Sequence, residues 1–184
     1  MDFLLLVVHK AQTFLSNPEN LQTFVGNRFF MILLVIVLLK AKYAVYSNIY
    51  MCALVNIVGT FLHEMSHFIV GLILNAHPTG FTIFPQKRGD VYVTGSVCFK
   101  NIKFYNALPS ALAPIMLLFL GYYLNKWFFA NIEVTYVTYI LYILLQTIII
   151  ENAMPSSTDF KVAFSYPLGV LFYASIAVAA IIVM

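Results

Sequence analysis

The sequence is short of charged residues and of cysteine, and each shortage excludes a class of protein. Only 9% of its 184 residues are charged, whereas about a quarter are charged in an average soluble domain. The net charge of +3 is small and dispersed, so nothing predicts binding to nucleic acid. The two cysteines, Cys52 and Cys98, are isolated and lack CxxC spacing, so they indicate neither a disulfide nor a redox motif.

Apolar side chains take the place of the missing charges. Hydrophobic residues make up 62% of the chain and its mean hydropathy is +0.90, which predicts an integral membrane protein embedded in a lipid bilayer. A spanning helix needs about 20 mainly apolar residues. We therefore expect an all-α membrane bundle of about five transmembrane helices, at residues 25–39, 43–75, 107–124, 132–150 and 164–184. Two prolines, Pro109 and Pro114, predict a kink in the third helix.

The chain divides at about residue 24. Residues 1–24 are predicted to form an N-terminal interfacial segment, because the apolar run near their start is short and is interrupted by His9 and Lys10. Residues 25–184 then form one polytopic membrane core.

One stretch of this core, at about residues 80–100, has the pattern of strands. Residues 81–84 and 91–94 are β-prone runs on either side of the turn-rich and charged residues 85–90. The pattern predicts a small membrane-associated β-hairpin between the second and third spans. Residues 95–99 either continue its second strand or begin a third. The alternative is a connecting loop.

The positive charges predict the orientation of the chain. With five spans, seven Lys and Arg residues fall on one side and three on the other. The larger group is Lys10, Arg28, Lys87, Arg88, Lys100, Lys103 and Lys161, and the smaller is Lys40, Lys42 and Lys126. Because positive loops stay inside, the N-terminus and the hairpin are expected in the cytoplasm and the C-terminus outside. The plasma membrane of a prokaryote is the expected location for so small a chain.

Residues 63–67, inside the second span, carry the pattern His-Glu-x-x-His. On a helix, His63 and His67 lie on the same face and can bind one metal ion, while Glu64 is placed to hold the water that the metal activates. Ionisable side chains are expensive in an apolar span, so the cluster indicates a functional site. The chemistry predicted from this spacing is that of a zinc-dependent hydrolase.

A catalytic zinc usually has three protein ligands, so a further residue must come from elsewhere. Glu151 and Asp159 flank the end of the fourth span on the side predicted for His63 and His67. A polar break that contains Pro155 precedes Asp159 and could turn its carboxylate back into the bundle. The residues themselves leave both carboxylates as candidates.

At this point the chain resembles the site-two protease family of intramembrane zinc metalloproteases. The resemblance rests on the His-Glu-x-x-His pattern and on Asn-x-x-Pro, beginning at Asn152, followed by Asp159; it covers roughly residues 45–184. It implies Zn²⁺ held by His63, His67 and Asp159, with Glu64 as the general base. A β-hairpin after the motif helix is also a feature of the family.

The chain departs from the family pattern around the aspartate. The family has Leu-Asp-Gly where this chain has Thr158-Asp159-Phe160, and the interval from asparagine to aspartate is one residue shorter. The chain is therefore similar to small, divergent members, and Glu151 remains the substitute ligand.

The resemblance implies cleavage of peptide bonds in or near the transmembrane segments of protein or peptide substrates. Asn152 is a candidate for contact with the substrate or with the oxyanion. A regulatory membrane partner is a further expectation, because the chain has no inserted regulatory domain. The alternative is a non-catalytic zinc-binding membrane protein that binds or sequesters transmembrane partners.

Overall fold

The structure, a computed structural model, describes residues 2–44, 48–89 and 91–183 and is mainly helical. Its N-terminal helices are α1 (Asp2–Ser16), α2 (Pro18–Gly26), α3 (Arg28–Ala44) and α4 (Ile49–Ile73). Four strands follow: β1 (Pro78–Thr82), β2 (Gln86–Arg88), β3 (Val91–Val93) and β4 (Ser96–Phe99). The remaining helices are α5 (Phe104–Ala111), a 3₁₀ turn (Ala113–Met116), α6 (Leu117–Asn131), α7 (Tyr136–Asn152), α8 (Ser157–Phe164) and α9 (Pro167–Val183).

The strands form two antiparallel sheets of two strands each. The outer strands pair as β1 with β4, and the inner strands pair as β2 with β3. This differs from the expected pairing of residues 81–84 with 91–94, because part of the stretch expected to turn, Gln86–Arg88, is itself a strand. Residues 96–99 form a strand of their own, which was one of the two alternatives. The expected turn also included Asp90, which lies outside the described residues.

Three of the expected spans contain a bend or end at one. The first contains a sharp bend near its start, 74° between α2 and α3, where Asn27 separates the two helices. In the third, the chain bends by 52° at the 3₁₀ turn that contains Pro114, so the predicted kink is present. The fourth is followed by a 42° bend between α7 and the short helix α8. The expected second and fifth spans include residues 45–47 and 184, which lie outside the described residues.

Within the described ranges, α4 is the one unbroken helix long and apolar enough to cross a membrane. The number of candidate spans rises to as many as four if each bent pair of helices is counted as one. The predicted N-terminal segment, residues 1–24, begins with helix α1, whose described side chains are exposed.

Helix α4 is the centre of the fold. Its buried residues recur every three to four positions, at Gly59, Thr60, Glu64, His67 and Gly71, so they form a single face. α4 contacts α7, α5 and the 3₁₀ turn, and also strands β1 and β4. A small apolar cluster of Leu117, Ile149 and Ala153 packs beside it. The polar residues of the motif therefore lie at the contact between α4 and its neighbours.

Candidate metal centre

The two motif histidines are held in fixed orientations by backbone carbonyls. His63 Nδ1 is 2.8 Å from the carbonyl oxygen of Asn152, at the end of α7. His67 Nδ1 is 2.7 Å from the carbonyl oxygen of Ser110 in α5. A carbonyl can only accept a hydrogen bond, so both Nδ1 atoms carry the proton and donate it. In its neutral form, each ring then has a free lone pair on Nε2.

Each of these carbonyls lies where a helix is interrupted near a proline. In a helix, the carbonyl of Ser110 would accept from residue 114, but Pro114 has no N–H. The carbonyl of Asn152 has Pro155 three residues later, and the N–H of Ser156 donates instead to Asp159. Two helix interruptions thus supply the acceptors that orient the two imidazoles.

Asp159 is positioned by the start of helix α8. The N–H of Asp159 donates to Ser156 Oγ at 3.2 Å, and the N–H of Ser156 donates to Asp159 Oδ2 at 2.7 Å. This reciprocal pair is a capping box, which fixes the rotation of the carboxylate as well as the start of the helix. Because α7 and α8 meet at 42°, the carboxylate is directed back toward α4.

The two imidazoles and the Asp159 carboxylate consequently lie close together. The Nε2 atoms of His63 and His67 are 3.2 Å apart. Asp159 Oδ2 lies 3.5 Å from His63 Nε2, and Asp159 Oδ1 lies 3.4 Å from His67 Nε2. With both Nδ1 atoms protonated, the three groups face one another as acceptors. Either added protons or a cation must compensate them.

The spacing fits a tetrahedral metal ion. Metal–nitrogen and metal–oxygen bonds of about 2.0–2.1 Å at tetrahedral angles place neighbouring ligand atoms about 3.3 Å apart. The two Nε2 atoms have about this separation, and each imidazole has about this separation from a different oxygen of the Asp159 carboxylate. The hydrogen bonds from Nδ1 to backbone carbonyls are also the usual outer-shell arrangement of metal-binding histidines. The residues present thus fit a divalent ion with two imidazole ligands and one carboxylate ligand.

Glu64 lies in the same cavity as the triad. Its residue is only 8% exposed, and it helps to line a cavity of 540 Å³ together with all three members of the triad. The segment between β3 and β4 covers Glu64: a Cβ atom on Gly95 would be 2.7 Å from Glu64 Oε1 and 2.6 Å from Thr60 Cγ2. Only glycine allows this strand segment to approach the carboxylate so closely.

The remaining candidates from the sequence are placed as follows. The side chain of Asn152 lines the cavity, but its amide donates to the carbonyl of Ile148 at 2.8 Å within α7. The contact of Asn152 with the triad is made by its backbone carbonyl. Glu151 lines the cavity too, but its carboxylate pairs with Lys42. Within the described part of the chain, the group with metal-binding spacing is His63, His67 and Asp159, whose donor atoms all lie within 4.8 Å of one another.

Sequence reasoning missed three contributors to the site. Ser110 acts through its carbonyl, and Pro114 four residues later was the available signal. Lys42 was predicted to lie on the external side and Glu151 at the cytoplasmic end of the fourth span, so their ion pair disagrees with the predicted orientation of the first span. No local pattern connects the two residues, which are 109 apart in the sequence. Gly95 contacts Glu64 through tertiary packing, which the sequence does not encode locally.

Comparison with protein-family models, with curated proteins and with solved structures finds no match to this chain.

Proposed function

We propose that the protein is an intramembrane zinc metalloprotease that resembles the site-two proteases in its catalytic residues. The observation that carries the proposal is the convergence of His63 Nε2, His67 Nε2 and the Asp159 carboxylate at 3.2–3.5 Å, with Glu64 in the same cavity. Two imidazoles and one carboxylate, with room for a further ligand, form the donor set of many zinc hydrolases.

The surface of the helices supports a location in the membrane. Apolar side chains of α9 are largely exposed, among them Leu168 at 71% and Ile181 at 75%, and α7 likewise exposes Val137 at 66%. A water-soluble protein rarely leaves such extended apolar faces uncovered. Lipid would cover them, with α4 crossing the bilayer unbroken and the bent helix pairs crossing as interrupted spans. The proposed bundle places the metal centre where α4, α7 and α8 meet.

Each residue of the site would have a separate role in peptide hydrolysis. Zinc, when bound, lowers the pKa of a water to about 7 and polarises a carbonyl group. His63, His67 and Asp159 would hold the ion, and the carbonyls of Ser110 and Asn152 would keep the imidazoles oriented. Glu64 would accept the proton of the attacking water and return it to the leaving amine. The covering segment at Gly95 would limit access of bulk water to this carboxylate.

The strands beside the cavity provide a means of holding a substrate. Residues 92–97, which run from β3 into β4, line the cavity together with Glu64. A transmembrane helix must unwind before its peptide bonds can be attacked, since its carbonyls are already hydrogen-bonded. An extended segment could add to an unpaired strand edge by β-augmentation. The proposed substrates are accordingly transmembrane proteins or peptides that unwind beside these strands.

The first test is the zinc content of detergent-purified protein. We expect about one zinc per chain in the wild type, in Glu64→Gln and in Glu151→Gln, and loss of zinc in Asp159→Asn. Glu133→Gln, an exposed carboxylate outside the site, is the matched control. Absence of zinc from folded wild-type protein, together with failure to take up added Zn²⁺, would contradict the proposal. Zinc without cleavage of any transmembrane test substrate would favour a non-catalytic zinc-binding membrane protein.

A further inference from the structure

An ion pair beside the cavity plays no part in the proposed catalytic steps. Lys42 Nζ, from the last turn of α3, donates a hydrogen bond to Glu151 Oε2, from the last turn of α7. The two side chains are 12% and 28% exposed, so the pair is largely shielded from solvent. Glu151 lines the same cavity as His63, His67, Asp159 and Glu64.

The backbone of Glu151 is fixed close to the metal centre. Glu151 is bonded to Asn152, whose carbonyl oxygen is 2.8 Å from His63 Nδ1. The cavity that contains both the triad and Glu151 has a volume of only 540 Å³. A carboxylate at this position is a strong oxygen ligand beside a site with three ligands and one open position.

We infer that Lys42 is a positioning residue that keeps Glu151 out of the coordination sphere of the metal. The inference rests on the proposed function, since it presupposes a metal held by His63, His67 and Asp159. Lys42 satisfies Glu151 with an opposite charge and a hydrogen bond on the side of α3. Without Lys42, the free carboxylate is attracted to the divalent ion and occupies the position that water or substrate needs.

The alternative role for the ion pair is purely structural, as a link between α3 and α7. The two roles differ in symmetry. A structural link is broken equally by removing either partner, whereas a competing ligand is released only when the lysine is removed. Removing Glu151 as well should therefore correct the defect caused by removing Lys42.

The experiment uses full-length, detergent-purified protein loaded with Co²⁺ as a spectroscopic probe, titrated with acetohydroxamic acid, a small metal-binding compound that needs the open position. We expect similar binding in the wild type, Lys42→Arg, Glu151→Gln and the double variant Lys42→Met/Glu151→Gln. In Lys42→Met alone, we expect binding at least tenfold weaker, slower loss of Co²⁺ to a chelator and an altered Co²⁺ absorption spectrum. Lys40→Met, which removes an exposed lysine of the same helix, is the matched control and should resemble the wild type.

The outcomes separate this inference from the proposed function. Equal weakening in Lys42→Met and Glu151→Gln, or no weakening in Lys42→Met, would overturn the inference while leaving the metal centre intact. Failure of the wild type to bind Co²⁺ would overturn both. If Lys42→Met does not fold, Glu151→Gln still decides: tenfold weaker acetohydroxamate binding in that variant would contradict the inference.

Discussion

Three ionisable side chains on one face of an apolar helix raise the free energy of the folded state unless each has a compensating contact. His67 is 5% exposed, and both it and His63 are compensated by hydrogen bonds to backbone carbonyls. Glu64 is also nearly buried, but it is directed into the cavity beside the triad. The proposed role as general base gives a reason for this position, and that role can be tested directly.

Glu64→Gln keeps the size and polarity of the side chain and removes only its basicity. If Glu64 is the general base, cleavage of a transmembrane substrate should fall by about 10²- to 10⁴-fold, the usual contribution of general acid–base catalysis. The zinc content should be unchanged, because Glu64 is not in the triad. Glu133→Gln should retain full activity. Loss of zinc from Glu64→Gln, or undiminished cleavage, would show that Glu64 has a different function.

Among individual residues, the sequence predicted those that are recognised by their spacing along one helix. His63, Glu64 and His67 follow from positions i, i+1 and i+4 of one helix. Asp159 and Glu151 could not be ranked by the residues alone, and only the resemblance favoured Asp159. The structure brings Asp159 to the histidines and pairs Glu151 with Lys42. That difference is set by the bend between α7 and α8, which no local pattern specifies.

Among the secondary-structure elements, the interruptions of helices supply the groups that orient the candidate metal ligands. Pro114 releases the carbonyl of Ser110, and Pro155 precedes the capping box that aligns Asp159. The sequence predicted the kink at Pro114. It did not predict that the carbonyl of Ser110, left without a helical partner, would orient His67. The propensities that mark a break are local, whereas the partner that satisfies the exposed backbone group is chosen by tertiary packing.

The segment between β3 and β4 offers a test of how an element controls the base. Alanine at position 95 would place its Cβ 2.6 Å from Thr60 Cγ2 and 2.7 Å from Glu64 Oε1, so either the strand or the carboxylate must move. We expect Gly95→Ala to lower cleavage at least tenfold while leaving zinc bound, because a displacement of about 1 Å can cost a hundredfold in rate. Cleavage and zinc content, measured on the same preparation, check this.

The matched control for Gly95→Ala lies in the neighbouring sheet. A Cβ on Gly80 would meet Cys98 at 3.5 Å, an ordinary van der Waals distance. Gly80→Ala should therefore retain most of the activity. Equal losses in the two variants would mean that the strands tolerate no added side chain, and the effect at Gly95 would then carry no information about Glu64.

For the whole molecule, the prediction of a mainly helical protein is confirmed, whereas the positions at which the apolar segments bend were largely not predicted. Hydropathy identifies apolar segments, but it does not show where a segment bends. For example, helices α2 and α3 lie at 74° to each other, although together they are long and apolar enough for one span. The pairing of the four strands was likewise not predictable, because residues 85–90 combine turn-forming and strand-forming positions and registers compete.

The orientation of the molecule in the membrane can be tested with a cysteine that the chain already has. Cys98 in β4 is exposed, and the distribution of Lys and Arg predicts that these strands face the cytoplasm. In a Cys52→Ala background, a membrane-impermeant maleimide should label Cys98 in inside-out vesicles and not in intact cells or right-side-out vesicles. Glu133→Cys in the same background, with Cys98→Ala, should show the opposite pattern, because the exposed residue between α6 and α7 is predicted to lie outside. The segment between β3 and β4 covers Glu64, so labelling of Cys98 from outside would place the cavity that Glu64 lines nearer the external face and reverse the predicted topology. Labelling from the inside would instead place this cavity on the cytoplasmic side, where seven of the ten Lys and Arg residues are predicted to lie.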